Sequence, residues 1–366
     1  MNTKKLYAKY SVIIPAFNRG DSIAQAIDSV LAQDLKDFEI IVCDDGSSDN
    51  TLEVLAAYSD YITLVHSDRV GPGKARNVAA ALASGRYISC LDSDDYWAPW
   101  ALACVDTVLK EVGPSTSVYF RPQYVSLDRD KISPECNEQV KVGVFDSYVS
   151  APTKTVCGAA LIGAIPRDIF LKVGGFENKN INSEDRDLAL KISQYTKYAI
   201  VESPVCLFYR EHDGQVSRNQ CSNIAGWKLI GQHYHQGVYG PTDERNLSGY
   251  VASFFLGLVV SFLQKGEPGK NTFEFFKISF GATCRLLKSL CNFRKINRKD
   301  SIVLRTIVRF YFLLSFLLIF SVNLLVLRRF FDILIGFVKW PEHKAFLNDA
   351  NVKIIENVIS KSNREK

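Results

Sequence analysis

Four short runs rich in apolar and β-branched residues punctuate the first 110 residues: 11–15 (SVIIP), 39–43 (EIIVC), 62–66 (ITLVH) and 87–91 (YISCL). Each is too short for a helix and reads as a buried strand. Between them, residues 21–32, 50–58 and 73–83 carry apolar positions at helical spacing. Strand, helix, strand at this rhythm predicts an α/β fold, with a mostly parallel sheet joined by right-handed crossovers. Three of the strands run into polar loops, PAFNRG at 15–20, DDGSSD at 44–49 and DSDD at 92–95. In open α/β sheets ligands bind beyond the carboxyl ends of the strands, so these loops are expected to meet at one crevice.

From residue 117 to about 152 the pattern loosens. It then predicts a strand over 156–165, a short helix over 166–173, a turn at Gly174-Gly175-Phe176 and a helix over 183–195, with Leu188, Ile192 and Tyr195 on one face. A strand is expected over 198–208, and beyond 217 the chain turns helical and apolar. Residues 249, 253, 257 and 261 are all Gly or Ser, a small-residue stripe that lets another helix approach closely. The expected division is a catalytic domain at 1–220, a helical region at 221–300 and apolar, basic helices at 301–366.

Charge sharpens that division. The chain carries +5 overall, yet residues 265–344 hold fifteen Lys/Arg against five Asp/Glu. The basic residues flank apolar ones. The run at 310–327, FYFLLSFLLIFSVNLLVL, has eighteen residues without a charge, with Arg309 before it and Arg328-Arg329 after it. As a helix it would be about 27 Å long, near the bilayer core thickness of about 30 Å. A membrane is therefore the expected partner, ahead of nucleic acid: docking on its anionic inner surface first, a single span second, with a buried helix as the alternative to both. The nine cysteines are widely spaced and form no CxxC pair, which suits reduced core thiols in a cytoplasmic protein. MNTKKLYAKY leads straight into the first strand, so no secretory leader is expected.

The candidate chemistry lies in the loops. Asp92, Asp94 and Asp95 fall within four residues. At 4 Å two carboxylates repel by about 1 kcal/mol in water and about 4 kcal/mol near a protein surface. Either these residues form a solvated turn that caps the next helix, or a cation sits among them. Asp44-Asp45-Gly46 reads equally as turn chemistry or as acceptors for a ligand's donors. Lys74 and Arg76 open the helix at 73–83, where backbone N–H groups and basic side chains favour phosphate. The P-loop pattern is not met, because Ala75 follows Lys74. Glu184-Asp185 opens another helix, which capping alone would explain.

Taken together, SVIIPAFNRGDSIAQAIDSVLAQDLKDFEIIVCDDGSSDNT, GKARNVAAALASGRYISCLDSDDYWAP and GGFENKNINSEDRDLALKI resemble the family 2 glycosyltransferases over roughly residues 9–215. The resemblance implies a GT-A fold: a Rossmann-like, mostly parallel sheet flanked by helices, here with a helical C-terminal extension. It implies that Asp94, with Asp92 or Asp95, holds Mg²⁺ or Mn²⁺ as the DxD motif, and that His212 contributes near the metal. Donor-nucleotide contacts are expected from Pro15, Ala16, Asn18, Asp44, Asp45, Arg76, Asp92 and Arg210. Asp185 is the expected base, with Glu184, Gly175 and Phe176 near the acceptor or donor sugar. Glu177-Asn178 departs from the acidic pair that usually follows the glycine turn.

The expected function is inverting transfer of a single hexose or N-acetylhexosamine, from a UDP-linked donor to a glycan or lipid-linked acceptor in polysaccharide biosynthesis. Processive synthases add a Q-x-x-R-W element and several spans, which are not found here. The alternatives are a sugar nucleotidyltransferase and a non-catalytic scaffold subunit.

Overall fold

The computed structural model describes residues 8–125, 139–151, 158–179, 181–211, 220–240, 244–264 and 270–292. They fall into two compact units that divide near residue 230. The apolar run at 310–327 and His212 lie outside the described residues.

The first unit is built on the predicted rhythm. Strand β1 (Tyr10–Ala16) is buried along its whole length, and α1 (Ile23–Leu31) returns over the sheet on Ile23, Ala26, Ile27 and Val30. That spacing of three and four residues is one helical face. Next come β2 (Phe38–Asp44), α2 (Thr51–Ala56), β3 (Ile62–His66), α3 (Pro72–Leu82) and β4 (Tyr87–Cys90). Pro72 suits the first helical position of α3, and Gly71 before it sits at φ +88°, a conformation L side chains rarely adopt.

The structure continues with β5 (Tyr96–Trp97), α4 (Ala101–Val112), β6 (Thr116–Phe120), β7 (Pro122–Val125), β8 (Lys141–Phe145), β9 (Ile162–Pro166), α5 (Arg167–Lys172), α6 (Glu184–Ile192), β10 (Lys197–Ser203) and β11 (Leu207–Arg210). The large sheet runs β3-β2-β1-β4-β9-β6-β10-β8. Its first four strands are mutually parallel, and β6 and β10 share their direction; only β9 and β8 run against it. This is the expected mostly parallel α/β sheet. The chain order turns back at β1, between β2 and β4, which opens the crevice that such sheets use for ligands.

Three expectations are corrected. The strand expected over 156–165 begins only at Ile162, because Ala159–Leu161 form a 3-10 turn. The single strand over 198–208 is two strands in different sheets: β10 lies in the large sheet, and β11 pairs with β5 and β7. Pro204 lies between them and has no N–H to donate to a ladder. The region that loosened after residue 117 in fact opens on β6, which is wholly buried, and continues into β7 and β8. In sequence these strands hide because β7 follows β6 after a single residue and β8 alternates weakly.

The second unit contains the end of α7 (Gln220–Gln236), α8 (Glu244–Gln264) and α9 (Lys270–Asn292). Helices α8 and α9 pack through Phe255 and Phe275, ring centroids 5.6 Å apart, and Ser279 Oγ donates to the Ala252 carbonyl at 2.8 Å. The buried face of α8 is Ser248, Val251, Ala252, Phe255 and Val259. The small-residue stripe is therefore not the main seam; large aromatic side chains fill the space between these helices. No helix among the described residues is long and apolar enough to cross a membrane.

Candidate active site

The loops that follow β1, β2 and β4 do converge. They line a cleft of about 980 Å³ whose opposite wall is the start of α6. Three non-glycine residues in the described chain hold positive φ, namely Asn18 (+50°), Arg69 (+47°) and Ser183 (+71°), and all three line this cleft. Such conformations cost energy and concentrate where the backbone must present groups at a set angle.

On the β2 side, Asp45 is buried and its carboxylate ties two loops together. Oδ1 accepts from Ser67 Oγ at 2.7 Å and from Val70 N at 2.8 Å; Oδ2 accepts from Gly71 N at 2.8 Å. Asp45 lines the cleft, as do Pro15, Ala16 and Asn18. Asp44 does not: its Oδ2 accepts from Ser47 N at 3.3 Å and faces His66 Nδ1 at 3.7 Å, so it braces the turn.

The three aspartates after β4 bring one carboxylate oxygen each within 4.8 Å of one another. Their surroundings differ. Asp92 accepts from Arg76 Nη2, and Asp94 Oδ2 accepts from Arg19 Nη2 at 3.0 Å. Asp95 is buried, takes the Arg210 N–H on Oδ1 at 2.9 Å, and leaves Oδ2 buried without a hydrogen-bond partner. Burial first, and then the charges of Asp92 and Asp94, push its pKa up to about 9. An all-oxygen set with an orphaned buried acceptor and mutually repelling charges fits a hard divalent cation.

Arg76 joins this cluster to the far wall. It is almost wholly buried, donating through Nη2 to Asp92 and through Nη1 to Glu184 Oε1 at 3.2 Å, with its guanidinium 5.3 Å from the Phe176 ring centroid. Arg76 therefore spends its charge on two carboxylates. Lys74 is exposed and lies away from the cleft. Arg210 ends β11 with its guanidinium bonded to Gln25 and 5.2 Å from the Tyr96 ring centroid; it is not among the cleft-lining residues described.

Glu184 and Asp185 open α6 and both line the cleft. Burial, and then the neighbouring Asp185 charge, push Glu184 up to about 7 against the pull of Arg76. Burial likewise raises Asp185, although Arg186 and Arg76 oppose the shift. Asp185 Oδ1 accepts from the Arg186 N–H at 2.6 Å. A carboxylate raised in this way is a stronger base once ionised.

Gly175 and Phe176 sit behind the site. Phe176 N donates to Asn77 Oδ1 at 2.9 Å, and Asn77 Nδ2 donates to the Phe176 carbonyl at 2.8 Å. Gly175 has φ +67°, and a Cβ there would stand 2.4 Å from Asn77 Oδ1. The GGF turn thus packs against α3 and fixes Arg76 from below.

Sequence reasoning missed Arg19, Asn77, Tyr124 and Tyr209. Arg19 directly follows the predicted contact residue Asn18, and a basic residue at a strand end was the available signal. Tyr124 and Tyr209 line the cleft with rings edge to face, centroids 5.4 Å apart, and Tyr124 is well exposed. They lie on β7 and β11, whose pairing the sequence pattern concealed.

The sequence pattern of Glycosyl transferase family 2 matches residues 11–137, which include the loops after β1, β2 and β4. An Escherichia coli protein described as UDP-Glc:alpha-D-GlcNAc-diphosphoundecaprenol beta-1,3-glucosyltransferase WfaP is 31% identical over 58% of this chain and 82% of its own length. Chondroitin synthase of Pasteurella multocida is 38% identical over 51% of this chain, which spans 19% of that larger protein. The crystal structure of S. aureus TarS 1-349 in complex with UDP-GlcNAc has the same fold, with a TM-score of 0.56 and 17% identity over 76% of this chain and 84% of that one. A relative matched across four fifths of its length, on a sheet of the GT-A kind, leaves one conclusion: this chain belongs to Glycosyl transferase family 2 and is a glycosyltransferase.

Proposed function

We propose that the cleft carries out inverting transfer of one hexosyl unit from a UDP-sugar to a hydroxyl of a lipid-linked glycan acceptor. The observation that carries this reading is the chain Asp92–Arg76–Glu184, which links an acidic cluster at one wall to Asp185 at the other. Charge for a leaving diphosphate and a base for an attacking hydroxyl are thereby held in one crevice.

Asp94, Asp92 and Asp95 are the residues that would hold Mg²⁺ or Mn²⁺, which when bound offsets the negative charge that grows on the departing diphosphate. Asp45 and the loop at 15–19 form the nucleotide end of the cleft, with Phe17 and the Arg69 guanidinium 5.3 Å apart as an apolar and cationic wall. Asp185 takes the proton from the acceptor hydroxyl as that oxygen attacks the anomeric carbon, from the face opposite the leaving group. Arg76 lines the cleft and acts through its two carboxylates. It holds Asp92 and Glu184 in place and lowers the cost of burying Glu184.

The lipid-linked acceptor and the UDP-hexose donor find support in the Escherichia coli relative, whose description names both. The basic, apolar residues 265–344 support docking at an anionic membrane surface, which would bring such an acceptor to the cleft. Incubating the protein and Mn²⁺ with UDP-glucose, UDP-N-acetylglucosamine, a GDP-hexose or a dTDP-hexose, together with a short-chain lipid diphosphate sugar, tests the reading. UDP release that depends on the acceptor, with one sugar added, supports it. Long homopolymer from one donor, or release of pyrophosphate from a nucleoside triphosphate, contradicts it.

A further inference from the structure

Arg19 lines the cleft and gives Nη2 to Asp94 Oδ2 at 3.0 Å, while Nη1 reaches the Asn18 carbonyl at 3.2 Å. Both partners of the ion pair are partly open to solvent, with side-chain exposures of 26% and 21%. Such a pair is weak, because water screens it and a long side chain must be held still. The main chain around it is firmly placed. Arg19 N donates to Thr51 Oγ1 at 2.8 Å, and Asn18 is held at φ +50° with its side-chain oxygen on Ser48 N at 2.8 Å. The guanidinium is therefore a loosely held charge on a rigid mount.

We infer that Arg19 and a divalent cation compete for Asp94, and that Arg19, once displaced, passes to the diphosphate of the nucleotide. A guanidinium on Oδ2 and a dication on the same carboxylate share one negative charge and repel each other, so each weakens the other's hold on Asp94. With a cation on Asp94, Nη2 is held less well there while the anchored backbone keeps the side chain in the cleft. A diphosphate supplies the anion it then lacks, and the planar fork of Arg matches phosphate oxygens in a way that a point charge does not. Arg76 also lines the cleft, but each of its terminal nitrogens already donates to a carboxylate from a nearly fully buried position, so Arg19 is the guanidinium that can move. Arg19 is thus a positioning residue that exchanges an intramolecular carboxylate for the ligand's phosphate, coupling cation binding to donor binding. This inference rests on the donor chemistry proposed above.

The test is binding, with no turnover. Mn²⁺ affinity by electron paramagnetic resonance and UDP affinity at saturating Mn²⁺ by calorimetry are measured for wild type, Arg19→Met and Arg19→Lys, with melting curves to verify folding. Arg19→Met should bind Mn²⁺ about fivefold more tightly without nucleotide, because its competitor is gone. It should bind UDP about tenfold more weakly, while affinity for uridine stays within about twofold. Arg19→Lys should compete with Mn²⁺ as wild type does and recover only part of the UDP affinity. Unchanged or weaker Mn²⁺ binding in Arg19→Met overturns the competition, and unchanged UDP binding overturns the transfer of Arg19 to the diphosphate. A wild type that binds UDP without binding Mn²⁺ overturns this inference alone, whereas one that binds no UDP overturns the donor reading as well.

Discussion

Arg76 and Glu184, 108 residues apart in sequence, form a buried ion pair at 3.2 Å, and the same guanidinium holds Asp92 on its other terminal nitrogen. Replacing Arg76 by Met keeps the stem but leaves two carboxylates without their shared counter-charge. Removing one partner of a buried pair costs about 3–5 kcal/mol. Urea unfolding at pH 7.5 should show a loss of that order in Arg76→Met, and transfer should vanish with it. A loss near zero would mean that Arg76 does not organise the site.

The raised pKa of Glu184 makes a statement about stability. The folded state holds this proton more tightly than the unfolded chain, from the ordinary 4.5 up to about 7. Stability from this group is therefore fully present below pH 4.5 and lost as pH rises through about 7. Glu184→Gln cannot ionise, so its urea midpoint should fall less between pH 5 and pH 8 than that of wild type. The difference is at most about 3 kcal/mol. Parallel pH profiles for the two proteins would contradict the assignment.

Activity should carry the opposite slope. Asp185 must be ionised to accept a proton, and burial raises its pKa. The acid limb of the transfer rate should therefore lie above the range of an ordinary carboxylate, with rate rising as pH increases through it. A pH–rate profile that is flat from pH 5 to pH 8 argues against a raised base.

Gly175 tests the mount beneath Arg76. A Cβ at this position would sit 2.4 Å from Asn77 Oδ1 and 2.9 Å from Phe170, on a backbone at φ +67°. Gly175→Ala should cost about 2–3 kcal/mol from strain and the displaced Asn77. Asn77→Ala, which removes both bonds to Phe176, should cost about 1–3 kcal/mol. Thermal melts of the two variants check both values.

Much of this was legible in the sequence, and the limits have physical causes. Strands β1 to β4 were readable because their apolar runs are short and buried and their connections regular. The loops at 15–20, 44–49 and 92–95 could be assigned to one crevice from topology alone. Within the loops, sequence does not distinguish Asp45, which faces the cleft, from Asp44, which turns to Ser47 and His66. That choice depends on which side of a strand end each carboxylate leaves. Arg76 and Arg210 illustrate the same limit: the sequence places both near the site but does not show that Arg76 lines the cleft bonded to Asp92 and Glu184, or that Arg210 bonds Gln25. The walls supplied by Tyr124 and Tyr209 depend on pairing between distant strands, which no local pattern encodes.

The acidic cluster makes a separate demand. If Asp92, Asp94 and Asp95 hold a divalent cation, EDTA-treated protein should lose transfer, and Mg²⁺ or Mn²⁺ should restore it. Transfer that survives chelation would assign the three aspartates to the turn alone.

In the proposed reaction one cleft binds the nucleotide sugar and Asp185 at its wall removes the acceptor proton. The most direct measurement is transfer rate and UDP affinity in Asp185→Asn, which is nearly isosteric and cannot serve as the base. Asp185→Asn should lower the rate by about 10²–10⁴-fold and leave UDP affinity within about threefold of wild type. Transfer at the wild-type rate in Asp185→Asn would contradict the role of Asp185 as the base.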